Sequence, residues 1–347
     1  MMEHNLDKIN NDLKKNCPEK DQYFFGHGKL LLTSEYFVLE GAQALALPTK
    51  VGQSLSVKYG PSFSPTLNWK SFDVEGNCWF EANFEFWQFR CLDEKPTEEA
   101  LFLQKILQQV RKQNPHFLRD DVDVKVETRL GFPLKWGLGS SSSLVYNIAQ
   151  WAYVSPFELL FKTQGGSGYD IACAQSDGPI LYRKIHTGPN WSPVYFSPSF
   201  KQNLYFIYQG NKKDSRQSIK DISTARPFPT QVINRLSEIT HEMMKTNDQT
   251  IFNQLIVEHE DLVSSTLGLT KLKDQFFKDF FGEVKSLGAW GGDFFLASSN
   301  KSEEETKAYF NQLGFEVFYR YSELVAELES HNSFEAMNRH DPSSLLQ

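Results

Sequence analysis

The fold of this chain is indicated most strongly by the stretch Pro133-Leu-Lys-Trp-Gly-Leu-Gly-Ser-Ser-Ser-Ser-Leu144. Apolar residues alternating with charged ones at Val122, Val124 and Val126 predict a strand before it, and apolar residues at helical spacing follow it. Glycines allow the backbone to approach an anion, and a helix N-terminus offers unpaired N–H groups and the positive end of a dipole. The stretch therefore predicts an anion-binding turn between a strand and a helix, or else a flexible loop with a serine N-cap.

A second glycine-rich stretch, Gly165-Gly-Ser-Gly-Tyr-Asp-Ile-Ala172, places a carboxylate just before an apolar segment. Asp170 could act as a general base, since a carboxylate within hydrogen-bond reach can accept or orient a hydroxyl proton. It could equally cap the helix that follows. The residues alone leave both roles open.

Two further stretches carry groups suited to a phosphate or substrate site. In isolation, Gly288-Ala-Trp-Gly-Gly-Asp-Phe294 is a tight turn before an apolar strand, but its backbone N–H groups could also complete such a site. Near the start of the chain, Lys29 and Glu35 provide a cation and a carboxylate around a predicted strand pair. Taken singly, charged residues of this kind are most often solvated on a surface.

The length and composition predict a folded protein of two domains. At 347 residues the chain exceeds one domain of roughly 150 residues, and we place the domains at 1–198 and 199–347, with the boundary in a stretch containing Pro, Ser and Asn. The first half is predicted to be β-rich with a helix over 97–113, and the second to be α+β. Short strands are predicted at 23–25, 29–33, 36–39, 294–297 and 315–318.

Charge and hydropathy limit the classes of partner. The formal net charge of −7 argues against broad attraction to nucleic acid or anionic membranes, and no stretch approaches the ~18 apolar residues of a membrane span. The four cysteines show neither metal-ligand spacing nor a dense disulfide framework. We therefore expect a cytoplasmic monomer or homodimer that acts on a small-molecule substrate.

Taken in order, these stretches resemble the three motifs of the GHMP kinases, a superfamily named for galactokinase, homoserine kinase, mevalonate kinase and phosphomevalonate kinase. Residues 28–40 resemble the first motif, 137–143 the nucleotide-phosphate motif and 288–293 the third. The resemblance spans most of the chain and is greatest to phosphomevalonate kinases, with mevalonate kinases next. It implies an α+β two-domain fold, with an N-terminal mixed α/β domain, a C-terminal α+β domain and the active site in the cleft between them.

The resemblance also implies roles for particular residues. Asp170 would be the base or the acceptor-orienting carboxylate, with Lys29 as its cationic neighbour. ATP and Mg²⁺ would be the cofactors, with Ser141 and Glu158 as metal ligands, although Glu158 is offset by about one residue from the mevalonate kinase pattern. The ATP phosphates would be bound by Gly137, Leu138, Gly139, Ser140, Ser141 and Ser142. The acceptor would be bound by Glu35, Ser167, Gly168, Gly291, Gly292 and Asp293.

The function implied by this resemblance is ATP-dependent phosphoryl transfer to phosphomevalonate or mevalonate in isoprenoid precursor synthesis. A GHMP kinase for another small alcohol and a related ATP-dependent decarboxylase stay open. So does a protein that binds a nucleotide or metabolite without catalysis, because the segment between Ser143 and Asp170 is shorter than is usual in the superfamily. A P-loop fold is disfavoured, since the pattern Gly-x-x-x-x-Gly-Lys-Ser/Thr is absent.

Overall fold

The computed structural model describes residues 22–62, 64–119, 122–210, 227–288 and 293–328. Within these residues the chain forms two compact units that interleave along the sequence. The first unit takes its described residues from Met1–Gly28, Lys50–Leu134 and Leu138–Gln175, and the second from Lys29–Thr49, Lys135–Gly137 and Ser176–Gln347. The division into domains between residues 198 and 199 stays a prediction.

The first unit contains a mixed β-sheet. Its strands are β1 (Gln22–Leu31), β2 (Ala44–Pro61), β3 (Thr66–Phe72), β4 (Cys78–Glu85) and β5 (Val122–Leu130), of which β1 and β2 continue into the second unit. The order is β4-β3-β5-β2, with β1 also paired to β2, and β3 runs parallel to β5 while the pairs β3–β4 and β2–β5 are antiparallel. The predicted alternation in β5 is confirmed, because Val124 and Val126 are buried and Lys125 between them is exposed.

The helices described for this unit are α1 (Glu98–Gln113), α2 (Ser140–Ala152), α3 (Pro156–Thr163) and α4 (Tyr169–Ala174). The helix predicted over 97–113 is α1, which begins after Thr97, whose side chain accepts a hydrogen bond from the Ala100 N–H. Apolar side chains of the helices pack with those of the strands in one core, where Trp69 and Ile106 are fully buried. Burying a large apolar side chain stabilises the fold by roughly 1.5–3 kcal/mol.

Helix α2 packs against β1 at a glycine and is hydrogen-bonded to β2 through two polar side chains. A Cβ at Gly52 in β2 would overlap the carbonyl oxygen of Gly26 in β1, and a Cβ at Gly26 would lie 3.2 Å from Ser143 in α2. Gln53 in β2 accepts a hydrogen bond at its side-chain oxygen from Ser143 Oγ (3.0 Å) and at its carbonyl oxygen from Asn147 Nδ2 (2.8 Å). These contacts hold the first turn of α2 at a defined position.

The second unit contains two sets of paired strands. Residues 44–46 of β2 pair antiparallel with β6 (Ile180–Ile185), which pairs with β7 (Gly188–Pro193). A four-stranded antiparallel sheet has the order β11-β8-β10-β9. Its strands are β8 (Leu204–Tyr208), β9 (Glu283–Ser286), β10 (Phe294–Ser298) and β11 (Phe318–Arg320).

The helices described for the second unit are α5 (Thr230–Lys245), α6 (Gln249–Leu267), α7 (Leu272–Phe276), α8 (Glu303–Gln312) and α9 (Tyr321–Leu324). Phenylalanine rings form a core with the four-stranded sheet, as shown by Phe277, Phe295 and Phe310, whose ring centroids lie 5.1–5.5 Å apart. No helix in the described part of the chain has the length and apolar character needed to cross a lipid bilayer. The mixed α/β first unit and the α+β second unit confirm the predicted fold class.

Several predicted strands differ from the structure. The two strands predicted at 23–25 and 29–33 are one continuous strand, β1, which runs through Gly26 and Gly28 and ends at Leu31. Residues 36–39 lie mostly in a 3₁₀ turn, Phe37–Glu40, because Ser34 and Tyr36 take left-handed backbone angles (φ 62° and 64°) that interrupt an extended strand. The strand predicted at 315–318 begins only at Phe318, because the N–H of Phe315 still closes the end of α8 by donating to the carbonyl oxygen of Phe310. The strand predicted at 294–297 is confirmed by β10.

We expect Gly52→Ala to lower the free energy of unfolding by about 1–3 kcal/mol, because the new Cβ must displace the backbone at Gly26. Gly60→Ala is the matched control, since it lies in the same strand and a Cβ there meets no atom within 4 Å. We expect that control to change stability by less than about 0.5 kcal/mol. Urea denaturation measures both, and equal effects would contradict the close approach of β1 and β2.

Candidate functional site

The first turn of α2 presents backbone N–H groups without a capping side chain. Gly139 occupies the N-cap position with φ 91°, a left-handed angle that glycine adopts at little cost. No side-chain hydrogen bond caps this helix at Gly139. The amides of residues 140–142 therefore keep the positive end of the helix dipole open to an anion. A phosphate group fits such a helix N-terminus.

Asp170 lies beside this turn. It stands in the first turn of α4, after Gly168 at φ 95°, and its Oδ2 accepts a hydrogen bond from Ser142 Oγ at 3.2 Å. Its other oxygen, Oδ1, is buried and has no hydrogen-bond partner among the described residues. A buried acceptor without a partner costs about 1–3 kcal/mol, which marks Oδ1 as an atom that a ligand would satisfy. The structure thus brings the predicted base to the predicted phosphate-binding turn.

The oxygen atoms around this turn suit Mg²⁺ only together with a nucleotide. Ser141 is half-buried in the first turn of α2, and Glu158 is exposed in the first turn of α3. In the part of the chain that the structure describes, no group of three or more His, Cys, Asp or Glu side chains could hold a metal ion. Mg²⁺ commonly takes few protein ligands and completes its shell with phosphates and water, so the Ser141 hydroxyl could serve as one ligand beside a bound nucleotide. The metal-ligand roles of Ser141 and Glu158 stay predictions.

In the second unit, Gly137 of the serine-rich stretch lies against Asp293 of the third glycine-rich stretch. Gly137 has φ 64°, and a Cβ there would overlap the carboxylate of Asp293. Asp293 precedes β10, and its carbonyl oxygen accepts a hydrogen bond from the Gln209 N–H at 2.8 Å. One residue predicted to bind phosphate and one predicted to bind the acceptor therefore lie against each other. Gly291 and Gly292 lie outside the described residues.

Aromatic packing holds the turn that precedes Gly137. Trp136 lies edge to face with Phe294 (ring centroids 5.6 Å apart), and the Tyr208 hydroxyl donates to the Lys135 carbonyl oxygen at 3.0 Å. Burial raises the pKa of Tyr208, and the charge of Asp293 raises it further. The hydroxyl of Tyr208 therefore keeps its proton and can donate a hydrogen bond to the Lys135 carbonyl oxygen. Sequence reasoning missed the supporting role of Tyr208, for which the pattern along the chain carries no signal.

Glu35, predicted to bind the acceptor, is fully buried in the second unit, as are Lys285 and His259. Its Oε1 accepts a hydrogen bond from Lys285 Nζ at 2.5 Å, and its Oε2 lies 3.3 Å from His259 Nε2. Oε1 of Glu260 approaches the same ammonium at 3.5 Å. Both carboxyl oxygens of Glu35 therefore face protein groups. Sequence reasoning missed Lys285 and Glu260, which stand far from Glu35 along the chain.

Burial makes Glu35 a group that gains or loses its proton near neutral pH, beside a neutral His259. His259 Nε2 accepts a hydrogen bond from the Ser34 N–H at 2.9 Å, which requires an unprotonated nitrogen. Burial, reinforced by Lys285, holds the pKa of His259 well below its ordinary value. Burial also raises the pKa of Glu35 to about 7, against the opposing charge of Lys285. A proton on Glu35 removes the repulsion between an ionised oxygen and the His259 lone pair. Burial raises the pKa of Glu260 as well, against the opposing charge of Lys285.

For the other predicted site residues, the structure gives a place in the fold and a degree of burial. Lys29 is half-buried in the part of β1 that belongs to the second unit. Ser167 and Gly168 are buried just before α4, and the side chain of Leu138 is buried in the turn before α2. Their contacts with an acceptor or with ATP stay predictions, as does the pairing of Lys29 with Asp170.

Comparison with solved structures defines the class of fold. L. major mevalonate kinase, solved with R-mevalonate, matches with a TM-score of 0.61 at 16% identity over 90% of this chain and 96% of that one. Streptococcus pneumoniae phosphomevalonate kinase, solved with phosphomevalonate and AMPPNP, matches with a TM-score of 0.62 at 17% identity over 86% and 99%. Staphylococcus aureus mevalonate diphosphate decarboxylase matches with a TM-score of 0.56 at 11% identity over 88% and 94%. No protein-family model matches the sequence, and no curated protein does.

The chain therefore has the fold of the GHMP kinases, the superfamily to which these three enzymes belong. This confirms the resemblance inferred from the ordered motifs. Two of the three are kinases and one is a decarboxylase, so the fold by itself leaves the reaction open.

We expect Glu35→Gln to remove part of the pH dependence of stability, since Gln resembles a protonated Glu in shape and carries no charge. The pKa of Glu35 is raised from 4.5 to about 7 on folding, so its stabilising contribution is fully present below pH 4.5 and is lost as the pH rises through about 7. The free energy of unfolding of the wild type relative to the variant should therefore fall by about 3 kcal/mol over this range. Urea denaturation at a series of pH values measures the difference, and parallel curves would contradict a protonated Glu35.

Proposed function

We propose that this protein is an ATP-dependent GHMP-type kinase that phosphorylates a small acceptor of the mevalonate pathway, either phosphomevalonate or mevalonate. The observation that carries the proposal is the hydrogen bond between Ser142 Oγ and Asp170 Oδ2 at 3.2 Å. It joins an acceptor-orienting carboxylate to an open helix N-terminus that can anchor phosphates, which are two groups that phosphoryl transfer needs. The likeness to a mevalonate kinase and a phosphomevalonate kinase supports the class of acceptor.

The first turn of α2 would bind the phosphates of ATP. The N–H groups of residues 140–142 would donate to phosphate oxygens, and the helix dipole would stabilise their negative charge. Mg²⁺ bound with the nucleotide supplies a Lewis acid for the phosphate oxygens. Ser142 would hold Asp170 beside the terminal phosphate through their hydrogen bond. Alignment of this kind, together with electrostatic stabilisation, accounts for most of the catalysis of phosphoryl transfer.

Asp170 would orient the acceptor through Oδ1, which is buried and without a hydrogen-bond partner among the described residues. The oxygen of an alcohol acceptor loses its proton as it bonds to phosphorus and ADP leaves, and Asp170 would accept that proton. A phosphate acceptor is already ionised near neutral pH and has no proton to give, so the proton-accepting role of Asp170 applies to an alcohol acceptor. Lys29 would neutralise charge on the transferred phosphoryl group.

A substrate panel tests the proposal. We expect ADP release from Mg-ATP in a coupled assay with mevalonate or phosphomevalonate, and little release with homoserine or galactose. Mass analysis of the product separates a kinase from a decarboxylase, because the first adds phosphate to the acceptor and the second removes carbon dioxide. A folded sample that binds nucleotide in calorimetry but turns over none of the four acceptors would support the binding protein without catalysis and contradict the kinase.

Asp170→Asn should lower kcat by about 10²–10⁴ for an alcohol acceptor, because Asn keeps a hydrogen-bonding oxygen but cannot accept the proton. KM for ATP should change little, since the phosphate-binding amides of α2 are untouched. Asp93→Asn is the matched control in the same unit, because Asp93 is exposed. Steady-state kinetics of the three proteins provide the measurement. Unchanged turnover in Asp170→Asn would remove Asp170 as the catalytic residue.

A further inference from the structure

Residues 33–36 form a strained segment that is held from the interior. Ser34 and Tyr36 both have left-handed backbone angles, which are unfavourable for residues other than glycine. Between them the side chain of Glu35 is fully buried, and the Ser34 N–H donates to His259 Nε2 at 2.9 Å. Strain of this kind persists only where the surrounding structure determines the conformation. The buried contacts of Glu35 hold the segment, together with hydrogen bonds of its neighbours, from Ser34 Oγ to the Gln43 carbonyl oxygen (2.6 Å) and from the Leu45 N–H to Thr33 Oγ1 (2.8 Å).

Lys285 joins this segment to the strands that present Asp293. Its ammonium contacts Glu35 at 2.5 Å, and its backbone lies in β9 opposite Leu296 of β10. Asp293 stands immediately before β10. On the other side of this hydrogen bond, the strained segment follows β1, which carries Lys29. One buried hydrogen bond between Lys285 and Glu35 therefore links the elements that carry two predicted site residues.

We propose that Glu35 is a positioning residue of the phosphoryl-transfer site and makes no contact with the acceptor: through Lys285 it sets where Lys29 stands relative to Asp293. The kinetic part of this inference rests on the proposed kinase function. The side chain of Glu35 is fully buried, with Oε1 bonded to Lys285 and Oε2 at 3.3 Å from His259 Nε2 without a hydrogen bond, so an acceptor at the surface reaches neither oxygen. A displacement of about 1 Å can cost an enzyme about 100-fold in rate, so we expect a change in this contact to lower kcat.

Because charged groups face Glu35, we expect the position of its side chain to depend on whether its carboxyl group is protonated. The groups that face it come from two elements, Lys285 on β9 and the pair His259 and Glu260 on α6. Without its proton, an ionised oxygen of Glu35 faces the His259 nitrogen that accepts from the backbone. We expect the protonated form to hold residues 33–36 more firmly in the described conformation.

The test compares the wild type with Glu35→Gln and Glu35→Asp in steady-state kinetics, using ATP and mevalonate or phosphomevalonate. Gln copies the protonated side chain, so we expect wild-type kcat at about pH 6 and a kcat several-fold above wild type at about pH 8. Asp is one methylene shorter than the span to Lys285 requires, so we expect kcat to fall about tenfold. KM for both substrates should stay within about twofold in both variants.

Glu283→Gln is the matched control, because it removes an ion pair with Lys273 (2.8 Å) from the same strand without touching the buried cluster. We expect the wild-type pH profile from it. A raised KM for the acceptor with unchanged kcat in either Glu35 variant would show that Glu35 touches the acceptor. Superimposable pH profiles of the wild type and Glu35→Gln would show that its proton has no effect on turnover. Either result overturns the proposal.

Amide hydrogen exchange separates failure of this inference from failure of the proposed function, because it needs no turnover. In Glu35→Asp we expect faster exchange confined to residues 29–36, β9 and β10, with β5 unchanged. Exchange that is faster throughout the chain would show a general loss of stability and overturn the positioning role. If no acceptor is phosphorylated while exchange changes as expected, the kinase proposal fails and the linkage of these segments stands.

Discussion

The buried ammonium of Lys285 holds three elements of the second unit together. It is fully buried, and its contacts are Glu35 Oε1 at 2.5 Å, the carbonyl oxygen of Ser286 at 3.0 Å and Glu260 Oε1 at 3.5 Å. Breaking a buried ion pair by removing one partner typically costs 3–5 kcal/mol, because the charge left behind has neither water nor a counter-ion. The segment after β1, the helix α6 and the strand β9 are therefore tied together by one side chain.

In the first unit, by contrast, polar groups near the start of α2 are left without partners. Helix α2 begins without a capping side chain, and Asp170 Oδ1 is buried without a hydrogen-bond partner among the described residues. Both features oppose stability, and the surrounding core, together with the contacts of Ser143 and Asn147 to Gln53, holds them in place. Groups that the fold leaves unsatisfied next to each other are available to a ligand, which is why the proposed chemistry is located there.

The fold and the proposed reaction depend on different residues in this chain. The matched enzymes share only 11–17% of their residues with it, yet each match covers at least 86% of the chain. Many combinations of apolar side chains fill the same core, so the architecture persists while the sequence changes. The reaction that we propose depends instead on a few polar atoms around the turn before α2, and kinases and a decarboxylase occur on this architecture. The activity is therefore argued from Asp170 and its neighbours.

The sequence by itself determined the local elements: the alternation in β5, the helix α1, the glycine-serine turn between a strand and a helix, and the GHMP-type order of the motifs. Only the tertiary structure decided that residues 36–39 do not form a strand, that Asp293 lies against Gly137, and that the carboxylate of Glu35 is buried with Lys285, 250 positions away. The physical reason is that spacing along the chain decides which side chains share one face of one element. Which faces then meet, and which charges become buried together, follows from packing between elements that are distant in sequence.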